Sequence, residues 1–169
     1  MFFWAVDLGL KYEPYGENGA WYEFKLKIAQ KLIFSKWQEA LGGNLKAIAS
    51  GSAALQSRLA RVYNAAGIPV MEGYGLTETS PVVSVNDMRK SGFRIGSVGK
   101  LLTDTEVKIA QDGEILVKGP QVMLGYYKDP QKTEEVLKNG YFHTGDIGEV
   151  DNDGFLKITD RKKEMFKTS

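Results

Sequence analysis

Ile68-Pro69-Val70-Met71-Glu72-Gly73-Tyr74-Gly75-Leu76-Thr77-Glu78-Thr79 is the stretch from which fold and chemistry can both be read. Its opening run, Ile68 to Met71, is apolar and short, as a buried strand would be. The glycines on either side of Tyr74 let the backbone approach a flat ligand closely, while the ring supplies a stacking face. Thr77 offers a hydroxyl to a phosphate oxygen, and Glu78 a hard carboxylate oxygen suited to Mg²⁺. The competing reading is a turn after a strand with an incidental acid.

Immediately upstream, residues 45–50 read as a short buried strand and residues 54–66 as a helix. Leu55, Leu59, Val62 and Ala66 form the helix's apolar stripe, and Gly67 stands at its C-terminal cap. Strand, helix and strand within about 30 residues make a βαβ unit, with parallel strands and a right-handed crossover. Both strands run into small residues, Gly51-Ser52-Ala53 and Gly73-Tyr74-Gly75. Ligands of open α/β sheets sit outside such carboxyl ends, so two independent features indicate one crevice. Farther up, residues 1–10 are expected to end a buried helix and residues 11–19 to form a loop. Phe24, Ile28 and Leu32 recur every four residues over 20–41, joined by Leu26, Ile33, Trp37 and Leu41. That predicts one amphipathic helix stopped at Gly42-Gly43. Lys25, Lys27, Lys31 and Lys36 are its solvated face, with a membrane-surface role as the alternative.

After Pro81 the texture changes. Residues 82–87 read as one more strand and 88–92 as a polar linker. Val107 and Ile109 alternate with polar residues, Asp112-Gly113 turns the chain, and residues 115–118 return: a hairpin. Asp129-Pro130 supplies a cap and a first-turn proline for a short helix through Leu137, closed near Gly140. A second hairpin turns at Asp153-Gly154 between residues 147–150 and 155–158. The expected fold is α/β: a partial parallel layer followed by a small, distorted β-barrel. Glu149, Asp151, Asp153, Gly154 and Asp160 fall on EF-hand calcium-loop positions. The first residue there is not Asp, the last is not Glu, and the flanks read as strands, so the hairpin is preferred.

Composition bounds the rest. At 169 residues the chain makes one domain or two small subdomains, able to bury roughly 70% of its unfolded surface. A net charge of +1 gives no electrostatic case for nucleic acid. Having no cysteine excludes disulfides and zinc–thiolate sites, and a single histidine excludes a multi-histidine metal site within the chain. No apolar run approaches the roughly 18 residues of a membrane span. The expected location is cytoplasmic, with a peripheral contact at the inner membrane face as an option.

Read in order, the motifs resemble those of the adenylate-forming enzymes, namely acyl-CoA synthetases, luciferases and peptide-synthetase adenylation domains. Tyr74-Gly75-Leu76-Thr77-Glu78 looks like their Y-G-x-T-E motif. Ser50-Gly51-Ser52-Ala53-Ala54-Leu55 resembles the motif before it. Gly113-Glu114-Ile115 to Gly125-Tyr126, Tyr141-Phe142-His143-Thr144-Gly145-Asp146 and Asp160-Arg161-Lys162-Lys163 resemble those after it. The likeness covers the whole chain and is closest to long-chain fatty-acid–CoA ligases. It implies ATP, Mg²⁺ and CoA, and an acid activated as its adenylate with AMP attached to the carboxylate.

The resemblance assigns roles residue by residue. Tyr74 packs against adenine, with Gly51, Ser52, Ala53, Gly73 and Gly75 as backbone neighbours. Thr77 contacts the α-phosphate and Glu78 holds Mg²⁺; these two are the candidate catalytic residues. Asp146 accepts both ribose hydroxyls, Arg161 reaches ribose or phosphate, and Lys163 is the hinge toward a C-terminal domain. The structural alternatives are a core tyrosine, a first-turn glutamate, a turn-capping Asp146 and a solvated basic run at 161–163. His143 is expected to be a packed or surface residue rather than an acid–base group.

Two departures are notable. Where the family has a proline or glycine turn, residues 100–105 here are Lys-Leu-Leu-Thr-Asp-Thr, which leaves that turn in question. The Ser/Thr/Gly-rich phosphate loop and the catalytic lysine of the C-terminal domain have no counterpart in these residues. The chain is therefore expected to be an inactive piece of the enzyme's large domain, since each such group contributes roughly 10²–10³ in rate. The expected division is 1–90 as part of the α/β subdomain, 91–158 as the β-subdomain and 159–169 as the hinge. The alternatives for function are a fatty-acyl–AMP ligase or peptide-synthetase adenylation domain, or a non-catalytic nucleotide-binding or interaction module. Expected partners are fatty acid, ATP and CoA, without nucleic acid, and with oligomers possible.

Overall fold

The computed structural model describes residues 1–89 and 91–162. The described residues divide into two compact units, 1–72 with 87–89 and 91–96, and 73–86 with 97–162; the expected hinge residue Lys163 lies outside the described residues.

In the first unit, helix α1 (Phe2–Gly9) is followed by a single tight turn at Pro14–Gly16 and then by α2 (Ala20–Ala29). A π-helical turn, Gln30–Phe34, joins α2 to α3 (Ser35–Ala40). Strand β1 (Ile48–Ser50), helix α4 (Ser57–Ala65) and the start of β2 (Val70–Gly75) complete the unit. β1 and β2 are parallel, with Ile48 opposite Val70 and Ser50 opposite Glu72, as a βαβ unit requires. Helix α4 ends in a Schellman turn. The Ile68 N–H reaches the Tyr63 carbonyl and the Gly67 N–H that of Asn64, and Gly67 takes φ +71°, which costs a glycine little.

The core of this unit is Ala5, Leu8, Tyr22, Leu26, Ala29, Phe34, Ala65, Ala66 and Ile68. This overturns part of the expected stripe of the long helix: Phe24, Ile28, Leu32 and Leu41 are exposed, while Leu26 is buried and Ile33 and Trp37 pack on the core, on the face that carries Tyr22 and Ala29. The segment is apolar on both faces, so periodicity alone cannot say which of them meets α1 and α4. The π-turn then rotates the phase by about one residue, bringing Phe34 inward against Trp37. Two further expectations change. β1 is partly exposed rather than buried, and in α1 the aromatic Phe2 and Phe3 face outward while Ala5 and Leu8 carry the packing.

In the second unit, β2 continues through Gly75 and pairs antiparallel with β3 (Val82–Val85), which pairs with β4 (Lys100–Leu101). Strands β5 (Glu106–Ile109) and β6 (Glu114–Lys118) form the hairpin expected at Asp112-Gly113. Helix α5 (Pro130–Val136) is capped by Asp129, whose carboxylate accepts the Lys132 N–H at 3.0 Å. It gives way to the short β7 (Leu137–Lys138), to the long β8 (Tyr141–Val150) and to β9 (Leu156–Arg161). The resulting antiparallel sheet runs β5-β6-β8-β7, with β9 also on β8. Register shifts in the β6–β8 and β8–β9 ladders curl it into a half-barrel. Val83, Ile115, Val117 and Leu156 form its core, and Tyr74 packs against them.

The turn in question at 100–105 does form. Asp104 adopts φ +62°, a conformation that aspartate tolerates without glycine, and the Thr105 N–H closes onto the Leu102 carbonyl. At the acidic hairpin, the Asp151 carboxylate accepts the N–H groups of Asp153 and Phe155, both at 2.9 Å, between two strands.

Candidate nucleotide site

The second unit brings Gly73, Tyr74, Gly75, Thr77, Glu78, Asp146 and Arg161 into one body. Gly51, Ser52 and Ala53 belong to the first unit, where they leave the carboxyl end of β1. In that unit Glu72 is only 8% exposed, and burial pushes its carboxyl up to about 7.

The Thr77–Thr79 turn follows β2, and its geometry is set by a residue that the motif reading passed over. Thr79 is completely buried; its hydroxyl accepts the Leu76 N–H at 2.9 Å and donates to the Pro81 carbonyl at 2.7 Å. With Thr79 pinned inward, Thr77 is exposed and Glu78 half-buried on the outer side of the turn. Gly75 permits this turn, because a Cβ there would lie 1.7 Å from the Pro81 carbonyl oxygen.

Asp146 is buried in β8, opposite Arg161 of β9. Its Oδ1 accepts Arg161 Nε at 3.0 Å and its Oδ2 accepts the Tyr74 hydroxyl at 2.7 Å. Tyr74 is thus held at both ends, its ring against the core and its hydroxyl on the carboxylate. Burial, with the carboxylate beside it, raises the phenol well above its usual range, so it remains a donor. An ionised carboxylate has about four lone-pair sites, so two donors leave capacity for two more.

Glu114 organises the same corner. The resemblance assigns it no role. Its side chain is 8% exposed; Oε1 accepts the Gly145 N–H at 2.9 Å, and Oε2 faces Lys162 Nζ at 3.2 Å and His143 Nδ1 at 3.3 Å. The Lys162 N–H holds the Gly145 carbonyl at 2.8 Å, so both sides of the Gly145 backbone are fastened next to Asp146. His143 pairs with a carboxylate and is part-buried, as expected of a packed histidine.

Burial pushes the Glu114 carboxyl up, but the Gly145 N–H, Lys162 and His143 outweigh it and the net shift is downward. Between the native value and the higher unfolded one, the unfolded chain binds more protons, so stability rises with pH there. The Glu114 contribution is complete above the ordinary glutamate range and lost as pH falls through its lowered native value. Glu114→Gln should flatten the acid limb of a urea-midpoint-versus-pH profile; an acid limb as steep as that of the wild type would refute this.

Among the described residues no cluster of three or more metal-ligating side chains occurs. A single carboxylate such as Glu78 is compatible with Mg²⁺, an ion usually bound by one or two carboxylates together with substrate phosphates. No described helix is long and apolar enough to cross a membrane.

Residues 20–127 match the family model of the AMP-binding enzymes. The chain belongs to that family. It is 44% identical over 154 residues to the long-chain-fatty-acid–CoA ligase FadD15 of Mycobacterium bovis, covering 91% of this chain and 25% of that protein. With the long-chain-fatty-acid–CoA ligase of an Escherichia coli O6:H1 strain the figures are 42% over 150 residues, 83% and 25%. The AMP-binding chain described here therefore spans about a quarter of the length of these relatives. Among solved structures, o-succinylbenzoate CoA synthetase of Bacillus subtilis in complex with AMP superimposes with a TM-score of 0.65 at 32% identity. The overlap is 77% of this chain and 30% of that one. The same enzyme with ATP and magnesium gives 0.62 at 35%, over 70% and 27%. These agree with the mixed α/β fold and its half-barrel.

Proposed function

We propose that these residues form part of a cytoplasmic long-chain fatty-acid–CoA ligase. In the first half-reaction the fatty carboxylate oxygen bonds to the α-phosphorus of ATP and pyrophosphate leaves. In the second the CoA thiol sulfur bonds to the acyl carbon and AMP leaves. The observation that carries the reading is the buried Asp146, oriented by Tyr74 and Arg161 and with acceptor capacity to spare. Its carboxylate accepts the ribose hydroxyls, Tyr74 lies against adenine, and Arg161 reaches ribose or phosphate. Gly51, Ser52, Ala53, Gly73 and Gly75 keep the role of backbone neighbours of adenine. Thr77, exposed on its turn, contacts the α-phosphate. Glu78 would hold Mg²⁺, which supplies charge neutralisation to the phosphates when bound. Lys163 keeps its proposed place as the hinge. CoA, rather than a carrier protein, is favoured as acceptor by the identity to fatty-acid–CoA ligases.

The 169-residue chain alone is proposed to bind adenylate without turning it over. Calorimetric titration with a stable long-chain acyl-adenylate analogue and Mg²⁺ is expected to show saturable, one-to-one binding, and ATP–pyrophosphate exchange to stay at background. A chain with a native circular dichroism spectrum that binds neither the analogue nor AMP would overturn the site.

A further inference from the structure

The residue proposed to hold Mg²⁺ is itself held. Tyr126 donates its hydroxyl to Glu78 Oε1 at 2.7 Å, and the Met123 N–H donates to the Glu78 main-chain carbonyl at 2.8 Å. One short segment therefore grips Glu78 by side chain and backbone together. Its neighbours Leu124 and Tyr127 point into solvent, at 101% and 88% exposure, while Tyr126 is half-buried and turns its hydroxyl to Glu78.

Tyr126 is braced in turn by the first turn of α5. Its N–H reaches the Thr133 hydroxyl at 2.9 Å, that hydroxyl donates to the Asp129 carbonyl at 2.8 Å, and Lys132 Nζ lies 4.7 Å from the ring centroid. Gly125 makes the approach possible, since a Cβ there would stand 2.7 Å from Thr133. The Asp129-Pro130 cap that starts α5 thus fixes Thr133, which fixes Tyr126, which fixes Glu78.

We infer that Tyr126 is a positioning residue for Glu78, holding one carboxylate oxygen so that the other faces a divalent cation in a single orientation. This rests on the reading of Glu78 as the magnesium ligand. Glutamate has three rotatable bonds, and freezing them on binding weakens affinity unless the protein has ordered the side chain beforehand. A phenol suits the task. It donates one hydrogen bond and adds no charge to compete with the cation.

The test uses the 169-residue chain, titrated calorimetrically with ATP in Mg²⁺ and in EDTA. In wild type Mg²⁺ should strengthen ATP binding, and Glu78→Gln should remove that gain. Tyr126→Phe, which keeps the ring and its contact with Lys132, should reduce the gain roughly tenfold, as loss of an outer-shell partner does, while leaving affinity in EDTA unchanged. Thr133→Val should act in the same direction with a smaller effect. Without any metal, side-chain NMR couplings of Glu78 should report one rotamer in wild type and averaging in Tyr126→Phe. A Tyr126→Phe chain with the full magnesium gain, or with an unaveraged Glu78, overturns the inference alone. A gain that survives Glu78→Gln, or a wild-type chain with none, overturns the reading of Glu78 and the inference with it.

Discussion

Asp146→Ala is expected to abolish saturable binding of the acyl-adenylate analogue while leaving the chain folded. Two ribose hydroxyls would lose a charged acceptor, and hydrogen bonds to charged groups contribute about 1.5–3 kcal/mol each. Affinity should therefore fall by roughly 10² or more, beyond what calorimetry detects for a ligand of modest affinity. The same change orphans two donors of the native fold, Arg161 Nε and the Tyr74 hydroxyl. Arg161 is largely exposed, at 59% of its side chain, and water replaces the lost partner. Tyr74 is half-buried, so its unmatched hydroxyl should cost about 1–3 kcal/mol of stability, read as a lower urea midpoint. Tyr74→Phe separates the two effects: it removes the donor without the carboxylate, and should weaken binding far less than Asp146→Ala. Equal losses from both variants would mean that Asp146 acts only by holding Tyr74, and the ribose assignment would fall.

The second large effect is structural. Gly99→Ala should strongly destabilise the second unit, at a cost of about 4 kcal/mol or more, in the range reached only by a short list of mechanisms. Gly99 has φ +84°, and a Cβ there would lie 1.9 Å from the Val85 carbonyl carbon and 2.1 Å from the Asn86 nitrogen. Those atoms are backbone and cannot move aside without separating β3 from β4, whose pairing joins Val85 to Lys100. Gly154 isolates the torsional part, for its φ is +82° but nothing lies within 4 Å of the added atom. Gly154→Ala should cost only about 1–2 kcal/mol. Thermal melts followed by near-ultraviolet circular dichroism compare the two directly. Similar melting temperatures would show that close approach adds nothing to backbone strain, against the geometry at Gly99.

Much of this molecule was legible because its signals are local. Asp129-Pro130 starts a helix, Asp112-Gly113 and Asp153-Gly154 turn hairpins, and Gly67 ends α4, each through chemistry confined to a few neighbouring residues. The succession of strand, helix and strand within about 30 residues likewise foretold the parallel β1–β2 pair. Asp104 shows the limit of such reading: the turn at 100–105 lacks glycine and proline, yet forms because aspartate accepts the left-handed conformation.

The amino-acid sequence by itself thus determined the βαβ unit, the two hairpins, the start of α5 and the chemical types at the candidate site. Tertiary structure alone decided which apolar face of residues 20–40 is buried, because that helix offers two and only α1 and α4 can choose between them. It also decided who orients the site. Tyr74 meets Asp146 across 72 positions of chain, Tyr126 meets Glu78 across 48, and Gly145 meets Glu114 across 31. No periodicity encodes such pairs, since each depends on where a curled sheet and a capped helix bring distant backbone together.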